Sequence, residues 1–166
     1  MAEPTRTIAI LVANPALSSI LSMVIASAPN HRVRPFESEL ALQIYMRLAP
    51  VDLVVTDFDA ENARADLVTR DLHADPGIER PDFQVIALAS RVTPETKNLC
   101  IAAGIDEVIV KPMSPKYLLE RITARLARRA AQKAGRQPRR ATILRPDFAR
   151  HGNVIQLFGR SPQPQG

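Results

Sequence analysis

The sequence contains no tryptophan, and aromatic residues make up only 4% of its 166 residues. Its single cysteine, Cys100, excludes an intrachain disulfide and a four-thiolate metal site within one chain. The apolar run at residues 7–13 ends at Asn14 and Pro15, so it is too short to span a membrane, and no secretory cleavage pattern is present. We therefore expect a cytoplasmic protein without membrane insertion.

The residue patterns of common enzyme sites are also missing. The histidines His31, His73 and His151 are dispersed in sequence, and nothing near Cys100 suggests a reactive thiol. There is no Gly-rich phosphate loop, no nucleophile elbow and no pair of catalytic carboxylates. We expect Cys100 to pack as a small apolar residue and the chain to be a noncatalytic binding protein.

Charge is distributed unevenly along the chain. Residues 1–120 hold 11 Lys and Arg against 16 Asp and Glu, whereas residues 121–166 hold 11 Lys and Arg against one acid, Asp147. A basic segment attached to an acidic body indicates a polyanionic partner for that segment, such as a nucleotide, a nucleic acid or an acidic lipid.

Strand and helix patterns alternate over the first 134 residues. Near-continuous apolar runs predict strands covered on both faces, and residues at helical spacing, including Leu40, Ile44 and Leu48 as the apolar stripe of the second helix, predict helices. The predicted strands are 7–13, 33–36, 52–56, 83–89 and 107–110, and the predicted helices are 16–28, 37–48, 60–73, 93–103 and 114–134. This alternation predicts a flavodoxin-like, doubly wound, five-stranded parallel sheet with helices on both faces.

The composition changes near Gly135, where prolines and dispersed arginines replace the periodic patterns. We therefore divide the chain into an α/β domain at residues 1–134 and an arginine-rich extension at residues 135–166. The extension is too polar to form its own core, so we expect it to be disordered or loosely docked until it binds a ligand.

Asp57 after the third strand, Lys111-Pro112 after the fifth strand and the upstream Gly104 resemble the response-regulator receiver family, which includes the chemotaxis protein CheY. The resemblance covers residues 6 to about 130. It implies that the Asp at the position of Asp57 accepts a phosphoryl group and that the Lys at the position of Lys111 contacts it. In that family an acidic pair after the first strand holds Mg²⁺.

Three positions depart from the family pattern. The acidic pair reads Ala13-Asn14, the hydroxyl residue that ends the fourth strand reads Ala89 with Ser90 one place late, and the aromatic switch residue reads Val108. We therefore interpret Asp57 and Lys111 as a retained ion pair in a vestigial phosphoacceptor site. Mg²⁺ is a doubtful cofactor, although oxygens of Asn14 and Asp59 leave weak metal binding open as an alternative.

The extension combines several arginines with one acid and one aromatic ring. Arginine pairs with phosphate or with a guanine edge, a carboxylate can accept from the guanine N–H groups, and an aromatic ring stacks on a base. The combination favours a guanine-containing anion over a generic phosphate backbone. The candidate ligand-binding residues are Arg136, Arg139, Arg140, Arg145, Asp147, Phe148, Arg150 and Asn153.

The run from Arg139-Arg140 through Arg145-Pro146-Asp147-Phe148 to Gly152-Asn153-Val154 resembles the CheY-like cyclic di-GMP effectors. That resemblance implies an extension that binds an intercalated pair of cyclic di-GMP molecules. It also implies a flagellar motor switch protein as partner, recruitment to the motor, and an effect on chemotaxis, motility and surface attachment. Two alternatives stay open: a phosphorylation-controlled single-domain response regulator, and a nucleic-acid-binding protein that uses the basic extension.

Overall fold

The computed structural model of the protein describes residues 3–135 and 154–156. These residues form six strands and five helices. In chain order they are β1 (Arg6–Leu11), α1 (Pro15–Ala26), β2 (His31–Phe36), α2 (Glu39–Leu48), β3 (Leu53–Asp57), α3 (Ala65–Ala74), β4 (Gln84–Ala89), α4 (Pro94–Ala103), β5 (Glu107–Val110), α5 (Pro115–Lys133) and β6 (Val154–Gln156).

The strands of the described residues form one sheet in the order β2-β1-β3-β4-β5-β6. The first five strands run parallel, which confirms the predicted flavodoxin-like sheet of the CheY type. Strand β6 runs antiparallel to β5, with Val154 opposite Ile109. No strand was predicted there, because three residues are too few for a periodic pattern and the strand exists through its pairing with β5.

Two apolar layers enclose the central strands, and successive residues of a strand alternate between the layers. In β1, Ala9 belongs to the layer covered by α2, α3 and α4, whereas Ile8 and Ile10 belong to the layer covered by α1 and α5. The central strands β3 and β4 are buried along their whole length. This double burial explains why their sequences are apolar at consecutive positions.

Side-chain caps set the starts of several helices. Asn14, Ser38, Thr93 and Ser114 each accept a hydrogen bond from a backbone N–H of the first helical turn, at α1, α2, α4 and α5 respectively. The predicted cap at Thr93 is confirmed, and so is the stop at Gly104, whose φ of 85° is left-handed. Helix α3 begins at Ala65, five residues later than predicted.

The apolar stripe expected in α2 does not face the core. Leu42 and Met46 are the buried residues of this helix, whereas Leu40, Ile44 and Leu48 are exposed. Helix α2 therefore carries two apolar rows. The sequence pattern identified the row that faces solvent because the spacing of four residues occurs in both.

Cys100 lies in the apolar layer that α4 contributes to, as predicted. Burial raises the pKa of its thiol to about 11, with the Asp66 charge acting in the same direction. The thiol is therefore protonated at neutral pH and packs as an apolar group. The helices in the described part of the chain are all too short or too polar to span a bilayer.

A buried carboxylate attaches α5 to the sheet. Glu107, the first residue of β5, is fully buried and accepts hydrogen bonds from Arg121 Nε at 2.6 Å and Arg125 Nε at 2.8 Å. Arg125 also donates to the carbonyl oxygen of Asp106 at 2.9 Å. Both carboxylate oxygens of Glu107 are therefore paired with guanidinium groups, which offsets the cost of burying its charge.

Replacing Glu107 with Ala should lower the free energy of unfolding by about 3–5 kcal/mol, because it leaves two guanidinium groups of α5 without their carboxylate. Urea unfolding followed by circular dichroism measures this loss. The matched control is Glu120→Ala, because Glu120 is an exposed acid on α5, the helix that carries the two arginines. This variant should change the free energy of unfolding by less than about 0.5 kcal/mol. Equal losses in both variants would contradict a special role for Glu107.

Candidate functional site at the carboxyl ends of the strands

Asp57 and Lys111 meet at the carboxyl end of the sheet. Asp57 is the last residue of β3 and is buried, and Lys111 directly follows β5. The Lys111 ammonium nitrogen lies 3.0 Å from each carboxylate oxygen of Asp57. The structure therefore brings the two residues of the predicted vestigial phosphoacceptor site into direct contact, because parallel strands of one sheet end at the same edge.

Backbone hydrogen bonds hold the two loops in place. The N–H of Phe58 donates to the carbonyl oxygen of Leu88 at 2.7 Å, and the N–H of Lys111 donates to that of Ala89 at 2.8 Å. Both loops are thus attached to β4, which lies between β3 and β5 in the sheet. The positions of Asp57 and Lys111 consequently depend on the same central strand.

Asp59 is a third member of the site that the sequence had suggested only as a weak metal ligand. Its Oδ2 accepts from the backbone N–H of Ser90 at 2.7 Å and from the Ser90 hydroxyl at 2.6 Å, and it lies 2.9 Å from Lys111 Nζ. Its own N–H donates to Asp57 Oδ1 at 2.9 Å. Asp59 therefore connects the loops that follow β3, β4 and β5.

The position of Ser90 explains this contact. Ala89 ends β4, so the hydroxyl group expected there lies one residue later, in the loop. From that place Ser90 reaches Asp59 rather than Asp57. The sequence contains the relevant residues, namely Asp57-Phe58-Asp59 and Ser90 one place after the end of β4. Their contact could be recognised only from the positions of the two loops in the structure.

The charges of the cluster alter two pKa values. Burial opposes the charge of Lys111, but the carboxylates of Asp59 and Asp57 outweigh it and raise the pKa of Lys111. Burial likewise opposes ionisation of Asp59, but hydrogen bonds from Ser90 and Lys111 outweigh it and lower the pKa of Asp59. Lys111 is therefore a stable cation between two carboxylates at neutral pH.

The residues present do not fit Mg²⁺. Asn14 uses its side-chain oxygen to cap α1, accepting from the Leu17 N–H at 3.1 Å, and Ala13 has no polar side chain. Asp57 and Asp59 both pair with Lys111. In the described part of the chain no group of three or more acidic, His or Cys side chains could hold a metal ion. The side-chain oxygens of Asn14 and Asp57 and the Oδ2 atom of Asp59 thus already accept hydrogen bonds within the protein.

The predicted ligand-binding residues of the extension lie outside the described residues. These are Arg136, Arg139, Arg140, Arg145, Asp147, Phe148, Arg150 and Asn153. The described elements that flank them are both attached to the α/β domain. Arg129 and Lys133 near the end of α5 form ion pairs with Asp82, and β6 pairs with β5.

Comparisons with known proteins identify the fold. No protein-family model matches the chain, and no curated protein sequence matches it significantly. Among solved structures, the CheY-like receiver domain protein of Methanospirillum hungatei JF-1 superimposes with a TM-score of 0.68 at 18% identity, covering 77% of this chain and 98% of that one. The chemotaxis protein CheY4 of Vibrio cholerae gives 0.65 at 16% identity, covering 72% and 98%.

The orphan response regulator HP1043 of H. pylori gives a TM-score of 0.63 at 21% identity, covering 75% of this chain and 99% of that chain. At these identities the likeness shows a common fold. The protein therefore has the CheY-like receiver fold of response regulators, and Asp57 and Lys111 lie at the carboxyl edge of its sheet.

Stability should respond to pH through Asp59. Its pKa in the folded state lies below the ordinary 3.8, so the unfolded chain binds the proton first as pH falls. The stabilisation from the ionised carboxylate is thus present above the ordinary value and is lost as pH falls through the folded-state pKa. The stability difference between wild type and Asp59→Asn, measured by urea unfolding from neutral to acidic pH, should shrink in that range. A difference that stays constant would contradict this account.

Proposed function

We propose that the protein is a noncatalytic signalling protein of the response-regulator type. The observation that carries the proposal is the contact of Lys111 with Asp57 at the carboxyl edge of a receiver fold. In parallel α/β sheets, ligands bind at this edge, outside the carboxyl ends of the strands. In this chain direct contacts among Lys111, Asp59 and Ser90 connect the loops at this edge.

For the input signal, we propose cyclic di-GMP bound by the arginine-rich extension. The support is the composition of residues 136–153, where arginines accompany Asp147 and Phe148, together with the resemblance of this run to CheY-like cyclic di-GMP effectors. The elements on either side add support: α5 and β6 hold both ends of this stretch on the α/β domain. Fixed ends reduce the entropy lost when a chain orders around a ligand.

The output that we propose is binding to a partner protein, with a flagellar motor switch protein first, so that the ligand alters motility and surface attachment. This choice rests on the same resemblance. The α/β domain at residues 1–134 holds 16 basic and 16 acidic residues, whereas the extension holds six arginines against one acid. The extension would therefore attract the anionic ligand, and the domain would present a structured surface to the partner.

Calorimetric titration of cyclic di-GMP tests the ligand. The full chain should bind cyclic di-GMP saturably, and this binding should persist at moderate salt. Cyclic di-AMP should not bind to the full chain, and cyclic di-GMP should not bind to a chain that ends at Ala134. Arg145→Ala and Asp147→Ala should each weaken binding by about 1–3 kcal/mol, the value of one good contact to a guanine edge. Asp57→Ala is the matched control and should bind like the wild type.

Wild-type affinity in both extension variants would contradict the proposed site. Binding that disappears with salt and ignores the base would instead favour a nucleic-acid-binding protein, because contacts to phosphate alone release counterions and depend steeply on salt.

The second candidate function is a phosphorylation-controlled single-domain response regulator. The receiver fold and the Asp57–Lys111 contact favour it directly, and in this respect it has more support from the fold than the cyclic di-GMP input has. The residues around Asp57 oppose it, because the available carboxylates pair with Lys111 and do not fit Mg²⁺. Phosphoryl transfer depends on neutralising the charge of the transferred group.

Incubation with acetyl phosphate, with and without Mg²⁺, followed by intact-mass spectrometry decides between the inputs. We expect no added phosphoryl group, because the carboxylates that would hold the metal are absent. The Asp57→Asn variant is the control for reaction elsewhere. A Mg²⁺-dependent phosphoryl group that appears in wild type and is missing in Asp57→Asn would establish the second candidate in place of the first.

A further inference from the structure

Helix α2 has an apolar row that the fold leaves uncovered. Leu42 and Met46 face the core, whereas Leu40, Ile44 and Leu48 are 65%, 49% and 78% exposed. Residues four apart lie on one helix face, so these three form a continuous row, which we call the α2 stripe. Single exposed apolar residues are ordinary, but a contiguous row on one helix face marks an interaction surface.

The α2 stripe has an acidic flank on the side of α3. Gln43 and Arg47 both contact Asp75, next to the end of α3, so the row that contains Glu39, Gln43 and Arg47 faces α3. At the amino-terminal end of α2, Glu39 lies beside Asp71. Burial, a hydrogen bond with Asp71 and the Asp71 charge all raise the pKa of Glu39. Within the described residues neither carboxyl group forms an ion pair.

The opposite flank is basic. Strand β2 forms the edge of the sheet, and its Phe36 packs against Tyr45 of α2 with ring centroids 5.3 Å apart. Arg32 and Arg34 on this strand are exposed and have no ion-pair partner in the described part of the chain. The stripe therefore lies between two acids on one side and two arginines on the other.

Arg34 and Glu39 also lie at similar positions along the direction of the strands, which we call their height. Arg34 is two residues before the carboxyl end of β2, and Glu39 begins α2 immediately after the connecting turn. Both are therefore close to the carboxyl edge of the sheet. A two-fold axis parallel to α2 preserves this height and exchanges the flanks, so that the arginines of one copy face the acids of the other. An axis perpendicular to the helices would keep each flank on its own side and place the carboxyl edges of the two copies at opposite ends, so the arginines would not meet the acids.

We propose that the α2 stripe is the interface of a homodimer in which two α2 helices pack in parallel, with Arg34 of each copy beside Glu39 and Asp71 of the other. A two-fold interface uses the same surface on both subunits, and the stripe with its opposite flanks is complementary to itself in this orientation. The inference goes beyond the proposed function and does not depend on it.

Sedimentation velocity of the full chain over a micromolar concentration series tests the dimer. The wild type should dimerise, and Ile44→Glu should raise the dissociation constant by at least about 30-fold, because it places a charge at the centre of an apolar contact. Met23→Glu is the matched control: Met23 is 71% exposed on α1, on the other face of the sheet, and its variant should dimerise like the wild type. Circular dichroism checks that each variant is folded.

Charge variants test the orientation. Arg34→Glu and Glu39→Arg should each raise the dissociation constant by about 10-fold, since each places like charges opposite one another. The double variant should recover most of the loss, because the exchanged charges again face opposite partners. A wild-type chain that is monomeric throughout the series would overturn the proposal in favour of another protein as occupant of the stripe. Dimerisation that persists in Ile44→Glu, or that the double variant fails to recover, would overturn it as well.

Discussion

The central strands of this protein can exist only between two apolar layers. Strands β1, β3 and β4 have apolar side chains on both faces, so one layer of helices would leave half of those side chains in water. Parallel strands satisfy this constraint because every connection crosses the sheet through a helix. The same connectivity gathers the carboxyl ends of the strands at one edge. Asp57 and Lys111 meet there at 3.0 Å although 54 residues separate them in sequence.

At that edge one ammonium group organises three loops. Lys111 contacts Asp57 and Asp59, and Asp59 accepts both the backbone and the hydroxyl donor of Ser90. These contacts leave the cluster with one excess negative charge and few free oxygens. The positions of the metal-holding acidic pair that the receiver resemblance implies are occupied here by Ala13 and Asn14. The excess of positive charge lies elsewhere in the chain, among the arginines beyond residue 120.

Helix α2 illustrates the difference between recognising a helix and orienting it. The four-residue spacing of Leu40, Ile44 and Leu48 identified a helix correctly, yet those residues face solvent while Leu42 and Met46 face the sheet. Periodicity determines which residues share a face, and it contains no information about which face meets the core when two are apolar. The turn after β2 and the cap at Ser38 determine where the helix begins and therefore how it is rotated.

The sequence by itself determined the order of the five parallel strands and five helices, the cap at Thr93, the stop at Gly104, and the placement of Asp57 and Lys111 at one edge of the sheet. These features follow from local periodicity and from the rule that parallel strands end on the same side. Only the tertiary structure decided that Asp59 joins Ser90 to Lys111, that Asn14 caps a helix, and that Val154–Gln156 adds a sixth strand. Those contacts depend on where loops and strands distant in sequence come to lie relative to one another, and distances of that kind are set by packing rather than by any pattern along the chain.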